Sequence, residues 1–128
     1  MKIQESAENY LEAILVLKRE KGMVRSIDIV HHLAYSKPSV SRAVNLLKEN
    51  GYLTIDGEGG IELTETGLAI AQRIDERHRL LTEWLVRLGV TQEIAARDAC
   101  RMEHDISEET FRCLKSHITR RSGGGAEN

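Results

Sequence analysis

Residues 26 to 64 leave few folds open. A short apolar segment, Ile27, Ile29, Val30 and Leu33, leads through Ala34 and Tyr35 into SKPSVSRAVNLLKEN, an amphipathic run that Gly51 stops. Ser36 stands where a helix N-cap accepts hydrogen bonds from the free N–H groups of the first turn. Pro38 falls within that first turn, where no backbone donor is needed. Ser26 is placed to cap the preceding short helix in the same way. After Gly51 come two β-forming stretches, YLTI (52–55) and IELT (61–64), around DGEGG, whose glycines can supply the positive φ of a hairpin. Two helices joined by a tight turn, the second followed at once by a hairpin, is the plan of a winged helix-turn-helix.

The flanking segments are helical. From Glu5 to about Lys18, the residues Tyr10, Leu11, Ile14, Leu15 and Leu17 recur at helical spacing. Thr64 is placed to cap a long helix reaching about Leu88, Thr91 another ending near His104, and Ser107 a last one through Phe111, Leu114 and Ile118. The fold expected is mainly α: a winged helix-turn-helix with a two-stranded wing over residues 1–70, then an all-helical domain over 71–120. The stretch RSGGGAEN, 121–128, reads as a disordered tail. No run of about 18 apolar residues appears, and MKIQESAENY lacks the layout of a secretory signal, so the expectation is a cytoplasmic protein.

Charge is distributed unevenly. The chain carries a net −2, yet residues 21 to 50 set Lys21, Arg25, Lys37, Arg42 and Lys48 against Asp28 and Glu49, a local +3. The wing that follows has only acidic charges. A basic helix-turn-helix inside a mildly acidic chain points to double-stranded DNA met by the helices rather than by the wing. Candidate DNA contacts are Arg25, Lys37, Pro38, Ser39, Ser41, Arg42 and Lys48; Arg42 can pair with both acceptors of a guanine. The bland alternative is a winged helix used as a protein-interaction module.

A second pattern lies in DACRMEH (98–104), where Cys100, Glu103 and His104 share one helical face. Thiolate, carboxylate and imidazole suit a first-row divalent metal. Taken alone, the three fit an ordinary helix at least as well, since a buried Cys is often a small hydrophobe. His78 in the long helix, and Asn9 with Glu12 three apart on the first helix, add donors. Two cysteines, Cys100 and Cys113, are too few for a disulfide framework, and both are expected reduced. Cys113 reads as structural, His31 and His32 as surface or DNA-adjacent, and His117 as solvent-facing. Leu80, Leu81, Trp84, Leu85 and Leu88 form a broad apolar face suited to a homodimer, unless the following helices cover it within the monomer. A two-fold dimer reads a palindromic operator.

NYLEAILVL, SKPSVSRAVNLLKENGYL, LTETG, RHRLL and DACRMEH, in that order, resemble the DtxR/MntR family of metal-dependent repressors over nearly the whole chain to about residue 118. The resemblance implies a repressor of metal-homeostasis genes that senses Fe(II) or Mn(II), with the helical residues 71–120 as its metal-binding and dimerisation domain. It implies metal ligands at Asn9, Glu12, His78, Cys100, Glu103 and His104. Asn9 stands where the iron type has Met and the manganese type Asp. Glu12 and His78 match the manganese type, Cys100 the iron type, and Glu103 and His104 both. Thr82 and Ala96 replace ligands of the iron type's ancillary site, which is therefore expected to be absent. Without the manganese type's bridging Glu, a two-metal cluster is in doubt, although Glu12, His78 and Glu103 can still be drawn around a second ion. An SH3-like third domain is not expected.

Oxygen donors suit Mn(II), while a thiolate shifts preference to softer ions. The expectation is Fe(II) first and Mn(II) next, with Zn(II) or Co(II) binding in vitro. The rival from another class is a winged-helix regulator without metal, answering to cysteine oxidation or an organic ligand. An enzyme is not expected: Cys100 and His104 can be drawn as nucleophile and base, but no Gly-rich turn or oxyanion donor accompanies them.

Overall fold

The structure, a computed structural model, describes residues 5 to 124, with side-chain placement for residues 6 to 120. It divides into two compact units, Met1–Ile74 and Asp75–Asn128. The division falls inside one helix, a turn beyond residue 70. Among the described residues no helix is long and apolar enough to cross a membrane.

The first unit contains α1 (Glu5–Lys21), α2 (Ser26–Leu33), α3 (Lys37–Glu49), β1 (Leu53–Ile55), β2 (Ile61–Leu63) and the start of α4 (Glu65–Arg87). Its core joins Leu11 and Ile14 of α1, Ile29 of α2, Val40, Val44 and Leu47 of α3, and Leu53 and Ile61 of the hairpin. Each fully buried aliphatic side chain contributes about 1.5–3 kcal/mol, which explains why three short helices and two three-residue strands hold together. The hairpin is antiparallel, with Leu53 opposite Leu63 and Ile55 opposite Ile61. The Ile61 N–H also donates to the Val24 carbonyl at 2.8 Å, seating the wing on the segment between α1 and α2.

The tight turn after α2 places Ala34 at φ 59°, a left-handed conformation that closes the helix through an Ala34 N–H bond to the Val30 carbonyl. Ser36 caps α3 as the sequence indicates: its Oγ accepts from the Ser39 N–H at 3.3 Å, with Pro38 in the first turn. Gly51 takes φ 82° and ends that helix. The start of α4 is locked in place, because Thr64 Oγ1 donates to the Gly51 carbonyl at 2.7 Å and accepts from the Gly67 N–H at 3.2 Å. Gly67 lies so close to Tyr52 that a Cβ there would sit 2.0 Å from the Tyr52 carbonyl oxygen.

Two of the expected caps differ. Ser26 is the first residue of α2, not its cap; Arg25 holds that position, and the Asp28 carboxylate accepts from the Arg25 N–H at 2.9 Å. An acid in the first turn reaches back to the same orphan donor that a capping box satisfies. Thr91 does occupy the N-cap of α5 (Gln92–Asp105), but its side chain makes no capping hydrogen bond.

The second unit comprises the end of α4, α5 and α6 (Glu108–Gly124). Leu81, Ala95, Ala99, Phe111 and Ile118 are buried. Ser107 caps α6, accepting from the Thr110 N–H at 3.0 Å. The helix continues four residues into the segment expected as a tail, and residues 125 to 128 lie outside those described.

Candidate metal centre

α5 buries Ala95, Ala99 and Glu103, a stripe at intervals of four. The two alanines let the helix pack closely, and the third position of the same stripe is a carboxylate. The Glu103 side chain has no exposed surface, and that of His104 is 2% exposed. Spacing along one helical face brings Cys100 to them: the thiol sulfur, a Glu103 carboxylate oxygen and a His104 ring nitrogen lie within 4.8 Å of one another. His78, on α4 of the same unit, presents Nδ1 to Glu103 Oε2 at 3.1 Å. The Thr82 hydroxyl donates to the His78 carbonyl at 2.7 Å, inside α4.

The other carboxylate oxygen, Glu103 Oε1, is buried and makes no hydrogen bond; His104 Nε2 is 3.5 Å from it. A buried carboxylate left with unsatisfied lone pairs costs several kcal/mol. Such an oxygen beside a thiol and an imidazole fits a divalent cation, which takes mixed O, N and S donors.

Asn9 and Glu12 lie on one face of α1 in the first unit, both half-buried. His78, Cys100, Glu103 and His104 are in the second unit, where they converge. Cys113, expected as a structural thiol, is exposed on α6 instead. His31, His32 and His117 are exposed, as expected. Of the expected dimer residues, Leu81 is fully buried within the chain and has no surface to offer, whereas Leu88 is 63% exposed. Leu80, Trp84 and Leu85 are half-buried.

Sequence reasoning missed Arg77. It occupies the buried stripe of α4 between Ile74 and Leu81, and is itself 5% exposed. Its guanidinium donates to the Glu103 and Ile106 carbonyls at 3.0 and 3.1 Å and to the Glu108 carboxylate at 2.6 Å, and lies 5.0 Å from the Phe111 ring centroid. A charged residue at intervals of three and four between apolar ones was the available signal.

Two family models match the chain in succession: the iron-dependent repressor N-terminal DNA-binding domain over residues 2–61, and the iron-dependent repressor metal-binding and dimerisation domain over 64–121. The transcriptional regulator MntR of Escherichia coli is 39% identical over 108 residues, 84% of this chain and 70% of that one. The chain belongs to the DtxR/MntR family of metal-dependent repressors. Among other members of this DtxR/MntR family, the HTH-type transcriptional regulator MntR of Geobacillus kaustophilus is 38% identical over 102 residues, 80% of this chain and 72% of that one. The solved structure of the manganese regulator SloR superposes with a TM-score of 0.79 at 25% identity, covering 93% of this chain and 55% of SloR. The chain thus spans about half the length of that solved structure.

The residues expected to contact DNA lie mostly on α3, the second helix of the helix-turn-helix. Lys37, Pro38, Ser41, Arg42 and Lys48 are exposed there; Ser39 is half-buried and its hydroxyl accepts from Ser36 Oγ at 2.9 Å. Arg25 is exposed but engaged, its Nε donating to the Glu58 carbonyl at 3.2 Å and bracing the wing turn. That turn is closed by Asp56, whose Oδ1 accepts from the Gly60 and Glu58 N–H groups at 2.8 Å each. Those two donors hold the Asp56 carboxyl below its ordinary pKa. Lys18 of α1 pairs with Glu62 of β2, so the acidic wing is held by contacts within its own unit.

Proposed function

We propose that this chain is a metal-dependent transcriptional repressor that senses Fe(II) or Mn(II), binds a palindromic operator as a homodimer and controls metal-homeostasis genes from the cytoplasm. It is a regulator and not an enzyme. The observation that carries the reading is the buried Glu103 carboxylate, one oxygen unsatisfied, beside the Cys100 thiol and the His104 imidazole. The relatives' names, MntR and manganese regulator SloR, support both the regulatory role and Mn(II), while the thiol of Cys100 favours Fe(II).

In this reading Cys100, Glu103 and His104 hold the ion, His78 joins them, and Asn9 and Glu12 complete the donor set as the family resemblance implies. When bound, a divalent cation supplies the positive charge that balances the Glu103 carboxylate and the Cys100 thiolate. Each of the chain's residues then has a separate task. Glu103 contributes an oxygen that nothing else satisfies, and His78 steadies the opposite oxygen. Lys37, Lys48 and Arg42 meet the DNA, the lysines at phosphates and Arg42 at base edges. The conformation in which all the ligands meet gains population by its differential affinity for the ion, and a coupling of about 1–3 kcal/mol changes DNA affinity roughly 5- to 150-fold. Leu88 and its half-buried neighbours on α4 supply surface for the second copy.

The test is anaerobic titration of Fe(II), Mn(II), Co(II) and Zn(II) into the apo protein, followed by selection of bound sequences from random duplexes. We expect enrichment of a palindrome only in the presence of metal, lost on adding chelator. Equal enrichment with chelator present refutes the metal reading and favours the metal-free regulator.

A further inference from the structure

We infer that Arg77 is a positioning residue of the metal centre, a clamp that fixes the last turn of α5 against α4 so that Glu103 meets His78. The inference rests on the metal reading of Cys100, Glu103 and His104. His78 follows Arg77 directly on α4, and the Arg77 guanidinium donates to the backbone carbonyl of Glu103 itself. The same nitrogen reaches the Ile106 carbonyl, just past the end of α5, and the other terminal nitrogen reaches the Glu108 carboxylate at the start of α6. One side chain therefore fixes the α5 backbone at the residue that carries the central carboxylate, and fixes the α5 to α6 junction as well. The planar fork of a guanidinium suits this task better than a point-like ammonium, because its donors diverge at fixed angles.

Burial makes the arrangement informative. The Arg77 side chain is 6% exposed, and its Nε is a buried donor with no hydrogen-bond partner. A methionine at this position would fill the space between Ile74 and Leu81 without leaving an unsatisfied donor. A buried cation on an otherwise apolar stripe is thus a poor solution for packing alone, and a good one for holding a carbonyl at a fixed place. Groups that orient metal ligands through one intervening contact are commonly worth about 10- to 100-fold in metal affinity.

The experiment uses the full chain, Co(II) as the probe ion and two variants. Arg77→Lys keeps the charge and loses the fork. Glu108→Gln, at a side chain that is 64% exposed, removes only the charged partner on α6. Co(II) affinity is read from the thiolate-to-metal absorption band, and the fold of the apo protein from its thermal midpoint and from amide exchange at residues 103 to 106. We expect Arg77→Lys to weaken Co(II) binding about 10- to 100-fold with the band intensity at saturation retained, and exchange at 103 to 106 to quicken while the thermal midpoint stays near wild type. Glu108→Gln should move both quantities the same way by less. Wild-type affinity in both variants overturns the inference, as does a loss that tracks only the fraction of unfolded protein. If Arg77→Lys fails to fold, wild-type affinity in Glu108→Gln is enough to overturn it. A wild type that shows no thiolate band at any Co(II) concentration removes the metal reading, and this inference with it.

Discussion

Glu103 and His78 meet with Oε2 3.1 Å from Nδ1, while the second oxygen of the same carboxylate is buried and unsatisfied. A buried structural carboxylate ordinarily has both oxygens hydrogen-bonded. This one leaves Oε1 facing the His104 imidazole at 3.5 Å, beyond good hydrogen-bond distance, in the place where a cation can satisfy it. Glu103→Gln removes the charge and keeps the shape. The variant should lose divalent-cation affinity by more than the roughly 100-fold that removing a group behind a ligand costs, and its apo form should be at least as stable as wild type, because a neutral amide keeps the contact with His78 and costs less to bury than a carboxylate with one unsatisfied oxygen. Isothermal titration and chemical denaturation measure the two halves of that statement.

Gly67→Ala should destabilise the first unit by about 3 kcal/mol, the upper range for overpacking, since the new methyl group meets the Tyr52 backbone and not a flexible side chain. Helix propensity alone forecasts the reverse, a gain of about 1 kcal/mol. Denaturant unfolding decides between the two signs.

Much of this was legible in the sequence, and what was not has local causes. The cap at Ser36, the stop at Gly51 and the hairpin follow from side-chain chemistry within a few residues, and the structure has all three. Ser26 and Thr91 sit near helix starts, yet residue type does not decide which of several nearby oxygens reaches the free N–H; at α2 it was Asp28. The grouping of Cys100, Glu103 and His104 was visible as spacing. The unsatisfied Glu103 oxygen was not, because it depends on what α4 places opposite α5. The role of Arg77 is not legible in the sequence because its partners are two backbone carbonyls and a glutamate some 30 residues away, which periodicity does not reveal. Leu81 shares an apolar stripe with the more exposed residues of α4, and such a stripe does not say which of its members the rest of the chain will cover.

The pH dependence of folding should carry the mark of Asp28. Its carboxyl is held below the ordinary value, first by the Arg25 N–H and then by Lys21. A depressed carboxyl contributes stability above its unfolded pKa and loses it as pH falls through the folded pKa. Asp28→Ala should therefore cost about 1 kcal/mol at neutral pH, as the loss of a helix-start hydrogen bond does. The gap to wild type should close on acidification below about pH 4, the unfolded Asp range. Thermal midpoints of the two proteins measured from pH 7 to pH 2 test this; a constant gap contradicts it.

On α3 the two kinds of DNA contact should separate. Lys37→Ala should weaken binding nearly equally for all sequences and lower the salt slope by about 1, whereas Arg42→Ala should cost about 1–3 kcal/mol at one base position and relax preference there. Fluorescence anisotropy with the selected operator and a scrambled duplex, over a salt series, distinguishes them.

Leu88, 63% exposed at the end of α4, is the substitution of choice for assembly. Leu88→Lys should shift the protein toward monomer in sedimentation experiments without loss of helical content, because the side chain is not part of the buried core. An unchanged sedimentation coefficient places the contact between copies elsewhere.

The most direct measurement is operator affinity as a function of metal for three proteins: wild type, Cys100→Ala and His104→Ala. With Fe(II) or Mn(II) added anaerobically, wild type should tighten on its operator by roughly 5- to 150-fold, and both variants, folded as judged by circular dichroism, should bind the duplex with the same weak affinity whether or not metal is present. If both variants tighten on metal as wild type does, the ion is not held by Cys100 and His104, and the centre described here does not control the reading helix.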